Sequence, residues 1–148
     1  MNSKSGHNSE SIYAANFEPY PNNITTRATS QNSTSLNTAL NHYDANDYEL
    51  ALKEFEAIAS QSDTVAFYTG ITQLALGNFQ SAEEKFEQVK KQSQSIYNVQ
   101  AQWYLGLTLL RLDKNIKAKR TFQKLKQENP NSIYANKANQ ILKEVLNE

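Results

Sequence analysis

The sequence contains no cysteine and only two histidines among its 148 residues. The first absence excludes disulfide bonds, thiolate metal sites and cysteine nucleophiles. His7 and His42 leave few groups for general base catalysis, and no spacing matches a zinc-binding helix or a phosphate-binding loop. We therefore expect no enzyme, no cofactor, and no catalytic, cofactor-binding or metal-binding residues.

Long apolar runs and an excess of one charge are also missing. No stretch of about 18 apolar residues could form a membrane-spanning helix, and the first 30 residues lack the basic start and apolar centre of a signal peptide. The 15 Lys and Arg residues balance the 15 Asp and Glu residues, so no overall field draws the chain to nucleic acid or anionic lipid. As given, the chain is expected to be soluble.

Residues 1–34 are rich in Asn, Ser and Thr and too poor in apolar residues to form a periodic face, so we expect an irregular segment. One apolar island interrupts this segment at residues 12–21, where two prolines enforce extended backbone. Its aromatic residues are Tyr13, Phe17 and Tyr20. Two alternatives stay open: a mobile tail, or docking of these aromatic side chains on the rest of the chain.

From residue 35 onward the sequence contains three similar units. In each unit a small residue and a phenylalanine lie four positions apart, at Ala51 and Phe55, Ala82 and Phe86, and Ala118 and Phe122. Ala39, Gly70 and Gly106 are small residues at equivalent positions one helix earlier, where a larger side chain would hold two helices apart. Each unit therefore predicts two antiparallel helices that pack closely.

Turn-forming residues separate the two helices of each unit, at residues 44–47, 77–78 and 113–115. We expect the units at about residues 35–61, 63–93 and 96–128, with extra helix around residues 91–98 in the longer second interval. After Pro130 a last helix is predicted at residues 131–147. Its polar face would close the open end of a repeat stack.

The third unit resembles a tetratricopeptide repeat, whose characteristic residues it carries as Trp103, Leu105, Gly106, Ala118, Phe122 and Pro130. Trp103 is displaced by one position from the usual pattern, and Leu109 replaces the usual tyrosine. The resemblance implies an all-α, right-handed superhelix of three helical hairpins plus a C-terminal capping helix. It also implies a non-catalytic module for protein–protein interaction.

The phrase at residues 17–22 resembles one found just outside the membrane in anchored bacterial tetratricopeptide repeat proteins. The stretch from Trp103 to Pro130, with residues 132–135 after it, is similar to bacterial periplasmic proteins of this family that scaffold envelope assemblies. Together the two resemblances imply a periplasmic domain of a membrane-anchored protein that serves as a scaffold in an envelope assembly, with a cytoplasmic location as the second choice. Membrane contact is expected only through an anchor that is not present in this chain.

In such a superhelix the first helices of the hairpins line a concave groove. Alignment of the units places ten residues there, nearly all apolar: Leu36, Leu40, Tyr43, Phe67, Ile71, Leu74, Trp103, Leu107, Leu110 and Arg111. Family members that clamp a C-terminal carboxylate carry Lys, Arg and Asn at these positions, so that activity is not implied. We expect Trp103 to be mostly buried, with Phe67 near it.

Four alternatives explain an apolar groove. It binds a peptide or an amphipathic helix of a partner protein, it is covered by the chain's own island, it is buried in a homodimer, or its residues simply form core. The first makes the protein a peptide-binding interaction module. The second and third describe a structural domain whose groove is closed by its own N-terminal segment or by a second copy.

A basic stripe covers residues 111–126, which hold seven Lys and Arg residues against one Asp. A solvated helix face is the simpler interpretation, because basic runs on repeat helices commonly serve solubility. Contact with RNA or lipid headgroups is a weaker alternative, and nucleic acid is not expected as a partner. Carboxylates such as Glu83 are expected on solvent-facing helix positions.

Overall fold

A computed structural model of the protein describes residues 3–24 and 31–145, with side chains described for residues 8–24 and 34–144. This part contains eight helices and no strand: α1 (Ser3–Asn16), α2 (Gln31–Asp44), α3 (Tyr48–Ala57), α4 (Asp63–Ala75), α5 (Phe79–Lys91), α6 (Asn98–Arg111), α7 (Asn115–Glu128) and α8 (Ile133–Val145). The all-helical architecture is the predicted one and is consistent with a superhelix of helical hairpins.

Three hairpins follow one another along the chain, and each helix from α3 to α8 packs against the one before it. The hairpins are formed by α2 with α3, α4 with α5, and α6 with α7. The last helix, α8, packs on α7 and also contacts α6, as a capping helix would. Residues 146–147 of the predicted capping helix lie outside the described residues, as do residues 1–2 and 25–30 of the N-terminal segment. No described helix combines the length and apolarity needed to cross a bilayer.

A phenylalanine ring fills the space inside each hairpin. Phe55, Phe86 and Phe122 are fully buried. A Cβ atom added at Gly70 would lie 2.8 Å from the ring of Phe86, closer than any real Cβ contact. The two helices can therefore approach only because the first one carries a small residue under the ring, as the repeat pattern predicts.

The same turn joins the two helices of each hairpin. Asn46, Gly77 and Asp113 each adopt a positive φ, of 59°, 79° and 56°. The amide of the next residue donates to a carbonyl five positions earlier, as Asp47 does to His42 at 2.9 Å. This left-handed residue with a long backbone hydrogen bond is the Schellman motif, and it gives the three hairpins one geometry.

The expectation of an irregular segment is wrong for Ser3–Asn16, which form α1. The helix is rich in Ser and Asn and has no apolar face of its own, so its sequence alone does not indicate a helix. Contacts with α6 and the start of α7 stabilise it instead. Ser9 Oγ donates to Asn115 Oδ1 at 3.2 Å, and Glu10 pairs with Arg111 at 3.2 Å.

The extra helix expected around residues 91–98 is also absent, since residues 92–97 form turns and a bend. Asn98 Nδ2 donates to the carbonyl of Gln92 at 3.1 Å, and Ser95 Oγ donates to the carboxylate of Asp63 at 2.6 Å. The Asn98 side chain thus competes with helical amides for a backbone carbonyl, and Ser95 ties the loop to the start of α4. The longer interval between the second and third units is therefore a loop.

Glu83 is buried rather than facing solvent, which corrects its predicted position. Its carboxylate accepts hydrogen bonds from Lys114 and from Lys117, the latter at 3.2 Å, and so ties α5 to the start of α7. Burial acts to raise the pKa of the Glu83 carboxyl, but the two lysines outweigh burial and hold this pKa below its ordinary value. Part of the basic stripe thus serves contacts between hairpins.

We predict that Gly106→Ala lowers the free energy of unfolding by about 1–2 kcal/mol, because overpacking outweighs the gain in helix propensity. The added Cβ would lie 2.6 Å from Cζ of Phe122. Chemical denaturation measures the effect. In a Phe122→Leu background the same substitution should cost less. An equal cost in both backgrounds would show that the ring is not the cause.

We predict that Glu83→Gln destabilises the protein at neutral pH and that its difference from wild type shrinks on acidification. A lowered folded pKa means that the stabilisation is complete above the unfolded value of about 4.3 and is lost as the pH falls through the folded value. Thermal unfolding between about pH 7 and pH 3 measures this difference. Glu84→Gln, at the exposed neighbouring position, is the control and should follow wild type.

Candidate functional site

An extended segment lies across the first helices of all three hairpins. Residues 17–24, here called the arm, follow α1 and contain no helix or strand. We call the face that α2, α4 and α6 present to the arm the groove. The first residues of the arm contact α6, and later residues contact α4 and α2. The arm therefore runs from the third hairpin toward the first.

Three tyrosine hydroxyls, one from each hairpin, donate hydrogen bonds to backbone carbonyls of the arm. The pairs are Tyr104 to Glu18 at 2.7 Å, Tyr43 to Tyr20, and Tyr68 to Pro21 at 3.1 Å. Burial raises the pKa of all three donor tyrosines above the ordinary value, so their hydroxyls remain protonated at neutral pH. The groove therefore supplies donors at three points where the arm presents acceptors.

Tyr20 inserts its ring into an aromatic pocket. The ring lies edge-on to Phe67, Tyr68 and Tyr97, with centroid distances of 5.1, 6.2 and 6.4 Å. Phe67 and Tyr97 stack on each other at 4.5 Å and form the pocket's base. Edge-to-face contacts of this kind favour an aromatic ring over an aliphatic side chain.

Phe17 anchors the other end of the arm. Its ring stacks on Tyr13 of α1 at 5.2 Å and lies edge-on to Tyr104 at 6.2 Å. Tyr13 in turn lies edge-on to Phe79 at 5.4 Å, and the guanidinium of Arg111 lies 4.7 Å from the centre of that ring. The aromatic residues of the island thus dock on the hairpins, which confirms one of the two alternatives for this segment.

Asn22 bonds to the groove through its polar side chain. Its Nδ2 donates to the carboxylate of Asp44, at the end of α2, at 2.8 Å. Its Oδ1 accepts from the backbone amide of Ile24 at 3.0 Å. Both ends of the side-chain amide are therefore used, one toward the groove and one to turn the chain.

The third hairpin, against which the arm begins, matches a known repeat. A family model for the tetratricopeptide repeat matches residues 100–132, which include all of α7 and most of α6. The third hairpin therefore carries a tetratricopeptide repeat. Repeats of this family generally mediate protein–protein interaction, and the family is a non-catalytic one, which supports the prediction that the chain is not an enzyme. The sequence matched no curated protein.

The ten predicted groove residues are mostly buried. Leu36 and Arg111 are half-buried, and the buried ones are Leu40, Tyr43, Phe67, Ile71, Leu74, Trp103, Leu107 and Leu110. Tyr43 and Phe67 contact the arm directly, while Arg111 pairs with Glu10 of α1. The structure thus brings part of the predicted set together around the arm, and the rest contributes to the core beneath it.

Trp103 is buried as predicted, but its surroundings differ from the predicted ones. Its ring packs on Phe122 of α7 at 5.7 Å and on Tyr134 of α8 at 6.0 Å. The ring of Phe67, expected near Trp103, instead stacks on Tyr97. Trp103 therefore belongs to the packing of the last hairpin against the capping helix, which corrects its assignment as a groove anchor.

Sequence analysis missed two of the three tyrosines that hold the arm. Tyr68 lies two positions before Gly70, and Tyr104 lies two positions before Gly106. The two tyrosines therefore occupy equivalent positions in two hairpins. A tyrosine that recurs at one position of successive repeats, beside a proline-containing aromatic island, is the signal that could have identified them. Within the described residues no group of three or more His, Asp or Glu side chains is placed to bind a metal ion.

We predict that Tyr104→Phe lowers the free energy of unfolding by about 1 kcal/mol, because the carbonyl of Glu18 loses its donor. Hydrogen exchange of the Phe17 amide, which is bonded to Tyr13 O at 2.8 Å, should become faster as the arm loosens. Tyr48→Phe is the matched control, since its hydroxyl donates to the exposed side chain of Asn46 and not to the arm. Equal exchange in both variants would mean that the hydroxyl does not hold the arm.

Proposed function

We propose that this protein is a non-catalytic interaction module that binds an extended segment of a partner protein in the groove. The observation that carries the proposal is the arm itself, an extended segment held by side chains from all three hairpins. Backbone hydrogen bonds combined with aromatic pockets are a general mode of recognition for proline-containing peptides. A partner segment would take the place of the arm.

The arm does not fill the groove completely. A cleft of about 450 Å³ remains beside it, lined by Tyr20, Asn23, Ile24, Tyr68, Ile96, Tyr97 and Gln100. Ile96 at its edge is 77% exposed and adds an apolar side chain to the lining of the cleft. This cleft offers a partner contacts that the arm does not use, and such contacts favour exchange of the arm for the partner.

The second candidate function is a structural one, in which the arm closes the groove permanently. It is favoured by the depth at which Tyr20 and Phe17 pack against the hairpins. Under this alternative the protein would interact through its outer surface or associate with a second copy. The two candidates differ in whether a second segment can enter the groove.

We further propose that the module acts as a scaffold in a bacterial envelope assembly, in the periplasm, with any membrane anchor in a segment outside this chain. The support is the similarity of residues 103–130 and 132–135 to bacterial periplasmic proteins of this family, and the resemblance of residues 17–22 to a membrane-proximal phrase of anchored ones. These residues form the part of the arm that lies in the groove. A cytoplasmic location is the alternative.

A peptide added in trans tests groove binding. In the full-length chain, Tyr20→Ala removes the central anchor of the arm and should open the groove. A fluorescent peptide of residues 15–24 should then bind at least about ten-fold more tightly than to wild type, because the tethered arm competes at an effective concentration of about millimolar. Fluorescence anisotropy measures the binding.

Glu18→Ala is the matched control, because it changes an exposed side chain of the same arm. It should bind the peptide no better than wild type does. A Tyr20→Ala chain that keeps its helical circular dichroism but binds no peptide at millimolar concentration would contradict the proposed function. That result would favour permanent closure of the groove.

A further inference from the structure

We infer that the groove selects extended partner segments of one class. Such a segment has two aromatic residues three positions apart, a proline on each side of the second aromatic residue, and an asparagine two positions after it. The inference rests on the proposed function and names the partner that it requires. The arm serves as the template for this partner, because it shows which positions of a bound segment the groove contacts.

The groove contacts some positions of the arm more closely than others. Phe17, Tyr20 and Asn22 are half-buried, whereas Glu18 and both prolines are exposed. The side chains of the first group pack on aromatic rings of the groove or pair with Asp44, and those of the second are exposed to solvent. A partner segment would therefore be selected at the first group of positions and tolerated widely at the second.

The tyrosine hydroxyls require an extended backbone. They donate to the carbonyls of residues 18, 20 and 21, which lie within four consecutive positions. In an α-helix these carbonyls would accept from the helix's own amides and point along its axis, so the three hydroxyls would lose their acceptors. The geometry therefore favours an extended peptide over an amphipathic helix as the partner segment in the groove.

The prolines suit the same requirement. Pro19 and Pro21 carry no N–H group, so the segment brings fewer backbone donors that need partners inside the groove. Proline also fixes φ near the value of an extended chain, which lowers the entropy lost on binding. A groove that supplies donors, and a peptide that presents mainly acceptors, are complementary.

Asp44 gives the groove its polar selectivity. Its carboxylate accepts from the amide of Asn22, which an aspartate at that position could not supply. Two carboxylates at this distance would repel each other, and the repulsion acts against acidic segments. The direction of the bound segment follows as well, because the asparagine lies at the first hairpin and the leading aromatic residue at the third.

Peptide variants test the selection. With the full-length Tyr20→Ala chain as receptor, peptides of residues 15–24 are compared by fluorescence anisotropy. The Tyr20→Ala peptide should bind at least about 30-fold more weakly than the parent peptide, because it loses the central aromatic anchor. The Phe17→Ala and Asn22→Asp peptides should each lose about ten-fold, and the Glu18→Ala peptide, the matched control, should stay within about two-fold.

A reciprocal change isolates the polar contact. Introducing Asp44→Asn into the receptor should recover most of the affinity lost by the Asn22→Asp peptide, because the like charges are gone. Should the Tyr20→Ala receptor fail to show helical circular dichroism, Phe17→Ala in the full-length chain replaces it, with the same peptides.

The outcomes separate the inference from the function on which it rests. Binding of no peptide at all would overturn the proposed function. Equal binding of the parent, the variants and a scrambled peptide would leave a peptide-binding groove but overturn its selectivity. A wild-type chain that dimerises at tens of micromolar, and loses the dimer on Tyr20→Ala, would assign the groove to the arm of a second copy and overturn the assignment to a partner protein.

Discussion

An extended backbone that crosses an apolar surface must find hydrogen-bond partners there, since an unpaired buried carbonyl is costly. The groove meets this constraint with three tyrosine hydroxyls, one from each hairpin. Because the hydroxyls belong to separate hairpins, the arm can be held only when the hairpins stack in one register. The same contacts that fix the arm therefore link three repeats that otherwise contact only their neighbours.

The register of the hairpins depends on close helix packing. Phe86 and Phe122 sit against glycines of the paired helices, and a Schellman turn of one geometry closes each hairpin. Between hairpins, Glu83 and its two lysines join the second to the third. These local contacts bring Tyr68 and Tyr104 to equivalent places on successive helices, where both can reach the arm.

Features that repeat could be predicted from the sequence, because each depends on a local pattern. The small residues, the phenylalanine rings, the turns and the seven helices of the hairpins and cap follow from spacing alone. The bond from Tyr104 to Glu18 could not be predicted, since it depends on the path of a segment 86 positions away. The position of Trp103 could not be predicted either, since it depends on how α8 packs against the last hairpin. Helix α1 could not be predicted either, because its polar sequence is stabilised by contacts with α6 and α7, such as that of Ser9.

Proton NMR of the full-length chain tests most directly whether the arm occupies the groove. Nuclear Overhauser contacts should join the Tyr20 ring to the rings of Phe67 and Tyr97, with intensities that do not change on dilution, because the centroids lie 5.1 and 6.4 Å apart within one chain. Sharp, random-coil signals for residues 17–24 without such contacts would contradict the docked arm.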